Sequence, residues 1–196
     1  MDPDPDSDSD PDPGSGTAGL IEDCGAIRRG RFELSDGSLI DYYIDKYAFE
    51  TDPDVLSTIA DAIADRLRDG DGDVAVDVLV GPALGAVPLV TAVSLRLGVP
   101  AAYVRLGEKR PVTQARIEGT VSKGQHVAVL EDVTMTGSTI TETAALVEDT
   151  GATVDRLLVV VDRNEGAAER VRDAGYELEW LSRVGEDIDV DGATVA

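Results

Sequence analysis

Apolar positions along this chain follow two rhythms. The nearly unbroken apolar runs DVLVG (Asp77 to Gly81), AAYVRL (Ala101 to Leu106), HVAVLED (His126 to Asp132) and RLLVVVD (Arg156 to Asp162) predict strands. Between and after them, apolar residues recurring every three to four positions predict helices over Pro88 to Leu97, Ile140 to Asp149 and Glu165 to Ala174. Strands without a polar face must be covered on both sides. The alternation therefore predicts an α/β fold in which helices flank a parallel sheet, and ligands of such sheets bind at the carboxyl ends of the strands.

Upstream the pattern is looser. LIEDCGAI (Leu20 to Ile27) predicts a short helix and GRFEL (Gly30 to Leu34) a strand ending in the turn Ser35-Asp36-Gly37. DYYIDKY (Asp41 to Tyr47) is β-prone. Thr51-Asp52-Pro53 caps a helix whose apolar positions Val55, Leu56, Ile59, Ile63 and Leu67 keep helical spacing, and the turn Gly70 to Gly72 stops it. Residues 1–19 hold six aspartates, no bases and almost nothing apolar, which predicts a disordered acidic tail with the folded domain over 20–196. The GxGxxG from Gly14 to Gly19 follows no predicted strand, so it does not predict a dinucleotide site.

Composition narrows the function. With 39 acidic and 17 basic residues the net charge is −22, opposite to the basic footprint that nucleic-acid binding needs. Three of the bases, Lys46, Lys109 and Lys123, are lysines and the rest are arginines. An acid-rich, lysine-poor surface suits a protein adapted to high salt; an acidic protein that captures cations or basic partners is the competing explanation. One cysteine, Cys24, excludes an intramolecular disulfide, and one histidine, His126, excludes sites needing two imidazoles. No apolar run reaches the ~20 residues of a membrane span, and the acidic start lacks the features of a signal peptide. The expectation is a cytoplasmic protein with no nucleic-acid or membrane partner.

The segment richest in chemistry is VAVLEDVTMTGSTITE, Val127 to Glu142. An apolar strand ends there in Glu131 and Asp132, acceptors spaced to bind the vicinal hydroxyls of a ribose. Val133, Thr134, Met135, Thr136, Gly137, Ser138 and Thr139 then open a helix whose uncovered N–H groups make a phosphate site. An ordinary strand-to-helix turn with threonine caps is the bland alternative. A second feature is a basic loop: residues 105–116 hold Arg105, Lys109, Arg110 and Arg116 against the single acid Glu108. Four of the 17 bases thus fall in 12 residues, where an even spread places about one, which points to a clamp on a polyanion.

EDVTMTGST resembles the phosphoribosyl-pyrophosphate (PRPP) motif of the type I phosphoribosyltransferases. GRFELSDG with DYYIDKY, GPALGAVPL (Gly81 to Leu89) and VVVDRNEG (Val159 to Gly166) resemble, in order, the base-site segment, the pyrophosphate loop and the orotate-facing strand end of that family's orotate phosphoribosyltransferase branch, especially its archaeal members. The resemblance runs from about Leu20 to about Ile188. It implies a five-stranded parallel core with a small N-terminal hood, and transfer of the phosphoribosyl group of PRPP to orotate with release of diphosphate. It also implies Mg²⁺ held mainly by PRPP, and a homodimer whose mobile basic loop covers the partner's site.

By position, the resemblance gives Lys109 and Asp132 catalytic roles. It places PRPP on Arg105, Lys109, Glu131, Asp132 and the turn Val133 to Thr139, and orotate on Met135 and Arg163. An ion pair of Arg163 with Glu165 is the plainer reading of that arginine, and Tyr42 and Tyr43 read as core or hood residues. Several positions depart from the family. Leu106 and Pro111 stand where other members carry a lysine and a histidine, Met135 replaces a threonine, and Ser35 and Ser38 to Ile40 replace basic or serine-ended stretches. Each lost donor costs on the order of 1.5–3 kcal/mol if unreplaced, with Arg110 available to replace one. These departures keep two alternatives open: a non-catalytic PRPP-binding regulatory protein, and a phosphoribosyltransferase for another nucleobase.

Overall fold

The computed structural model describes residues 13–33, 37, 39–107 and 116–190. The expected sheet is present. Strands β3 (Val78–Ala83), β4 (Ala101–Arg105), β6 (His126–Thr134), β7 (Thr153–Asp162) and β8 (Leu178–Arg183) form a parallel five-stranded core in the order β4-β3-β6-β7-β8. The two-residue strand β5 (Ile117–Glu118) adds an antiparallel edge beside β4. The alternation above contains no signal for β8, because LEWLSR mixes apolar and charged residues on an edge strand.

Side chains alternate between the two faces of the sheet. On one face Leu79, Leu130, Leu158 and Val160 pack with Ile59 and Ile63 of α3 (Pro53–Arg66) and Val90 and Val93 of α4 (Val87–Leu97). On the other, Val80, Val129, Leu157 and Val159 pack with Ile140, Ala144 and Val147 of α5 (Ser138–Glu148) and Val171 of α6 (Ala167–Asp173). Each buried Val, Leu or Ile contributes roughly 1.5–3 kcal/mol. The α3 cap is as expected: Asp52 accepts the N–H groups of Asp54 and Val55 at 3.0 and 3.1 Å, with Pro53 opening the helix.

The N-terminal region differs from expectation in two places. Helix α1 spans Pro13–Asp23, beginning before Leu20 and ending before Ile27. It reaches into the segment expected to lack structure because Thr17, Ala18 and Ile21 are buried, and α1 lies against β8. The GxGxxG is therefore part of a helix. Further on, β1 (Ile27–Glu33) pairs antiparallel with β2 (Leu39–Ile44) as the hood hairpin. The β-prone stretch stops at Ile44, and a short helix α2, Lys46–Glu50, follows instead. Phe49 and Glu50 of α2 are buried, so the tertiary fold decides its conformation. Residues 1–12, Ser35, Ser38 and the loop tip with Lys109, Arg110 and Pro111 lie outside the described residues.

Candidate active site

At the carboxyl end of the central strand β6, Glu131 and Asp132 are both buried. Burial first, then the neighbouring Asp132 charge, pushes the Glu131 carboxyl up to about 8, against a hydrogen bond from Thr134 and the Lys46 charge. Glu131 Oε2 has no hydrogen-bond partner. Asp132 has both oxygens engaged: Oδ1 accepts the Val133 N–H at 2.6 Å and Oδ2 accepts Lys46 Nζ at 2.7 Å.

Lys46 is the residue at this strand end that the sequence pattern did not reveal. It opens α2, and its ammonium reaches across from the hood to the sheet. Desolvation works against its charge, yet the Asp132 hydrogen bond and charge, with help from Glu50, raise its pKa. The loop after β3 makes room for this pair. A Cβ on Gly85 would collide with Lys46 Nζ and lie 2.5 Å from Asp132 Oδ2. Lys46 is one of three lysines in the chain, and that scarcity is the one signal that could have singled it out.

Beyond Asp132 the strand runs through Val133 and Thr134 into an open turn. Gly137 caps α5 in the left-handed conformation (φ 73°) and provides no side-chain hydrogen bond to the helix N-terminus. A Cβ on Gly137 would sit 3.0 Å from the Ala167 carbonyl oxygen, so glycine is required on both steric and conformational grounds. Met135, Thr136 and Ser138 are exposed, Val133 and Thr139 half-buried, and Thr134 buried. The Thr136 hydroxyl lies 3.3 Å from that of Ser138. The first N–H groups of α5 are thus open to an anion.

Beside this turn, at the end of β7, Arg163 donates its backbone N–H to the Thr134 carbonyl at 2.9 Å. Its guanidinium pairs with Glu165 at 2.8 Å, as the plainer reading expected, but it is buried and not on the surface. Tyr42 of β2 lies under the guanidinium at 4.6 Å and joins hood to sheet. Burial raises the Tyr42 pKa, with Arg163 pulling the other way. Tyr43 points elsewhere, exposed and paired with Phe32. Sequence reasoning therefore placed Tyr42 in the hood but did not connect it with Arg163.

The stems of the basic loop are tied down. Arg105 pairs with Glu118 at 3.0 Å, and Arg116 with Glu142 of α5 at 2.7 Å. Leu106 packs against the apolar face of the sheet that α5 and α6 cover. Lys109 lies outside the described residues. The structure thus brings Glu131, Asp132, the turn Val133 to Thr139 and Arg163 together, and adds Lys46, Tyr42 and Glu165.

Two acceptors beneath a row of free N–H groups suit a sugar phosphate. The phosphoribosyl transferase domain family matches residues 48–179, and the chain belongs to it. The orotate phosphoribosyltransferase of Natronomonas pharaonis is 45% identical over 161 residues, covering 82% of this chain and 89% of the relative. The orotate phosphoribosyltransferase of Aeropyrum pernix superposes with a TM-score of 0.74 at 32% identity, over 85% of this chain and 93% of that one. That of Mycobacterium tuberculosis H37Rv, in complex with PRPP, does so with a TM-score of 0.70 at 28% identity, over 88% and 96%. Within the family, the chain stands among the orotate phosphoribosyltransferases.

Proposed function

We propose that this enzyme joins orotate to the 5-phosphoribosyl group of PRPP, giving orotidine 5′-phosphate and diphosphate in pyrimidine biosynthesis. The observation that carries the reading is the meeting of a paired-acid strand end, an open helix N-terminus and a buried arginine at one edge of a sheet whose relatives are orotate phosphoribosyltransferases.

Each group then has a role. Glu131 and Asp132 accept the ribose hydroxyls, and Glu131 Oε2, buried without a partner, is suited to a hydroxyl donor. The N–H groups from Thr134 to Thr139 hold the 5′-phosphate. Arg163 takes the orotate carboxylate in place of Glu165, with Tyr42 keeping the guanidinium in plane and Met135 facing the base. As the glycosidic bond forms, positive charge builds on the ribose and negative charge on diphosphate. Asp132 stabilises the first; Arg105 and Lys109 neutralise the second, Lys109 from the loop of the partner subunit in a homodimer.

Among the described residues no group of three His, Cys, Asp or Glu side chains is arranged to hold a metal. At the strand end one acid is paired with Lys46, a donor set that suits an ion carried on diphosphate oxygens better than one caged by protein. Mg²⁺ held this way would supply positive charge to the leaving diphosphate.

No helix among the described residues is long and apolar enough to cross a membrane; a cytoplasmic location and the absence of nucleic-acid partners follow from the proposed role and the acidic charge. Both substrates are anions approaching a chain of charge −22, so screening by salt aids their approach. The test follows orotate absorbance with purified protein, PRPP and Mg²⁺ across KCl concentrations. Orotate loss with stoichiometric diphosphate, rising toward molar KCl, is expected. PRPP binding without turnover would instead establish a regulatory protein.

A further inference from the structure

Glu50 is a buried acid that the roles above leave unused. It is 3% exposed, and neither of its carboxyl oxygens has a hydrogen-bond partner. A buried polar group in that state requires an explanation. Glu50 ends α2, which Lys46 begins, so the two lie four residues apart on one face of the same helical turn. The charges acting on Glu50 are those of Asp132 on β6 and Lys46 on its own helix. The acids of α3, which packs against α2, are Asp54, Asp61 and Asp65, and all three face solvent. Glu131 lies beyond Asp132 on β6.

The Lys46 ammonium sits on Asp132 Oδ2 at 2.7 Å, and the other Asp132 oxygen holds the Val133 N–H. Asp132 is therefore both occupied and neutralised at the position where a ribose hydroxyl must bind and where positive charge must later be stabilised. One helical turn from Lys46 stands an empty carboxyl.

We propose that Glu50 is a positioning residue: it receives the Lys46 ammonium when the ribose hydroxyl of PRPP claims Asp132. The proposal rests on the assignment of Asp132 to the ribose. Burial, then the Asp132 charge, holds the Glu50 carboxyl up to about 8, so it is protonated near neutral pH while Lys46 is away. On transfer the Glu50 O–H bond breaks, its proton passes to solvent, and the carboxylate pairs with Lys46. Asp132 regains a full negative charge beside the ribose, where the transition state needs it.

The test is calorimetry of PRPP binding in Mg²⁺ and molar KCl at pH 7, in two buffers of different ionisation enthalpy, so that proton release is counted. The wild type is expected to release roughly one proton more per PRPP bound than E50Q, and E50Q to bind PRPP about tenfold more weakly. In a K46M background, E50Q should have no further effect on the dissociation constant, because the two residues act as one device. Equal proton release by wild type and E50Q, or an equal loss of affinity in both backgrounds, overturns the proposal and makes Glu50 a packing residue. Should E50Q fold poorly, E50M, apolar and of similar size, serves in the same comparison. If the wild type neither binds PRPP nor consumes orotate, the functional reading fails and takes this proposal with it. If it turns over normally while the proton count is unchanged by E50Q, only the role of Glu50 fails.

Discussion

Strands β3, β6 and β7 lie side by side, and the acids at the two ends of this central part of the sheet live in different surroundings. At the amino ends, Asp77, just before β3, and Asp155, near the start of β7, are exposed; Asp77 accepts the His126 N–H at 2.8 Å and Asp155 meets the His126 ring at 2.7 Å. At the carboxyl ends, Glu131 and Asp132 are buried, one with an oxygen left without a partner and the other tied to a lysine from a different layer of the fold. The strand chemistry is the same. At one end water and a neighbour satisfy each acid at little cost, whereas at the other the protein keeps acids where they are costly to hold. Such costs are retained where groups are poised for a ligand.

The largest expected effect is at the buried end. Asp132→Asn removes the charge that holds Lys46 and one of the two carboxylate oxygens, leaving a neutral amide where the proposed function places a ribose hydroxyl. At roughly 1.5–3 kcal/mol per lost charged hydrogen bond, kcat/KM for PRPP should fall about 100-fold or more in steady-state assays. A variant within threefold of wild type would show that the buried acid has no part in the reaction. A smaller, more selective effect is expected one strand over. Arg163→Leu should raise the KM for orotate roughly tenfold while changing that for PRPP less than threefold, since Glu131, Asp132 and the turn Val133 to Thr139, to which the proposed function assigns PRPP, are untouched. Equal effects on both substrates would remove the assignment of Arg163 to the base.

The smallest effect concerns stability and carries a definite sign. Glu131 and Glu50 are both held up to about 8 in the folded protein, so the folded state keeps protons that the unfolded chain has already shed. Stability from these groups is complete below about pH 4.5 and is lost as pH rises toward 8. Thermal melting without ligands should therefore show Tm falling from pH 5 to pH 8. Glu131→Gln should narrow that fall by a few degrees, about 1 kcal/mol being worth roughly 2–4 °C at this length. Asp155→Asn, at the exposed end, should leave the pH profile as it is and cost less than about 1 kcal/mol. A steeper profile in Glu131→Gln would reverse the assigned sign.

The central layers were readable in the residues because local pattern and tertiary position agree there. The apolar runs of β3, β6 and β7 need cover on both faces, and the capping of α3 by Asp52 and Pro53 is a local event. Where position depends on distant partners, the local pattern misled. Asp41 to Tyr47 reads as one extended stretch, yet the chain turns at Asp45 so that Phe49 and Glu50 can be buried. Residues 13–19 are poor in apolar groups, but Thr17 and Ala18 find cover beneath β8.

By itself the sequence determined the α/β architecture, the paired acids followed by a small-residue turn, and the clustering of bases in an acidic chain, because these are properties of neighbours in the chain. Only the tertiary structure decided which hood residues complete the site. Lys46 lies 86 residues from Asp132, and Tyr42 lies 121 from Arg163. Such contacts are set by how the hood hairpin and α2 dock on the sheet, and by the space that Gly85 leaves open. No local pattern encodes that docking, since its energy comes from surfaces that meet only once the sheet has formed.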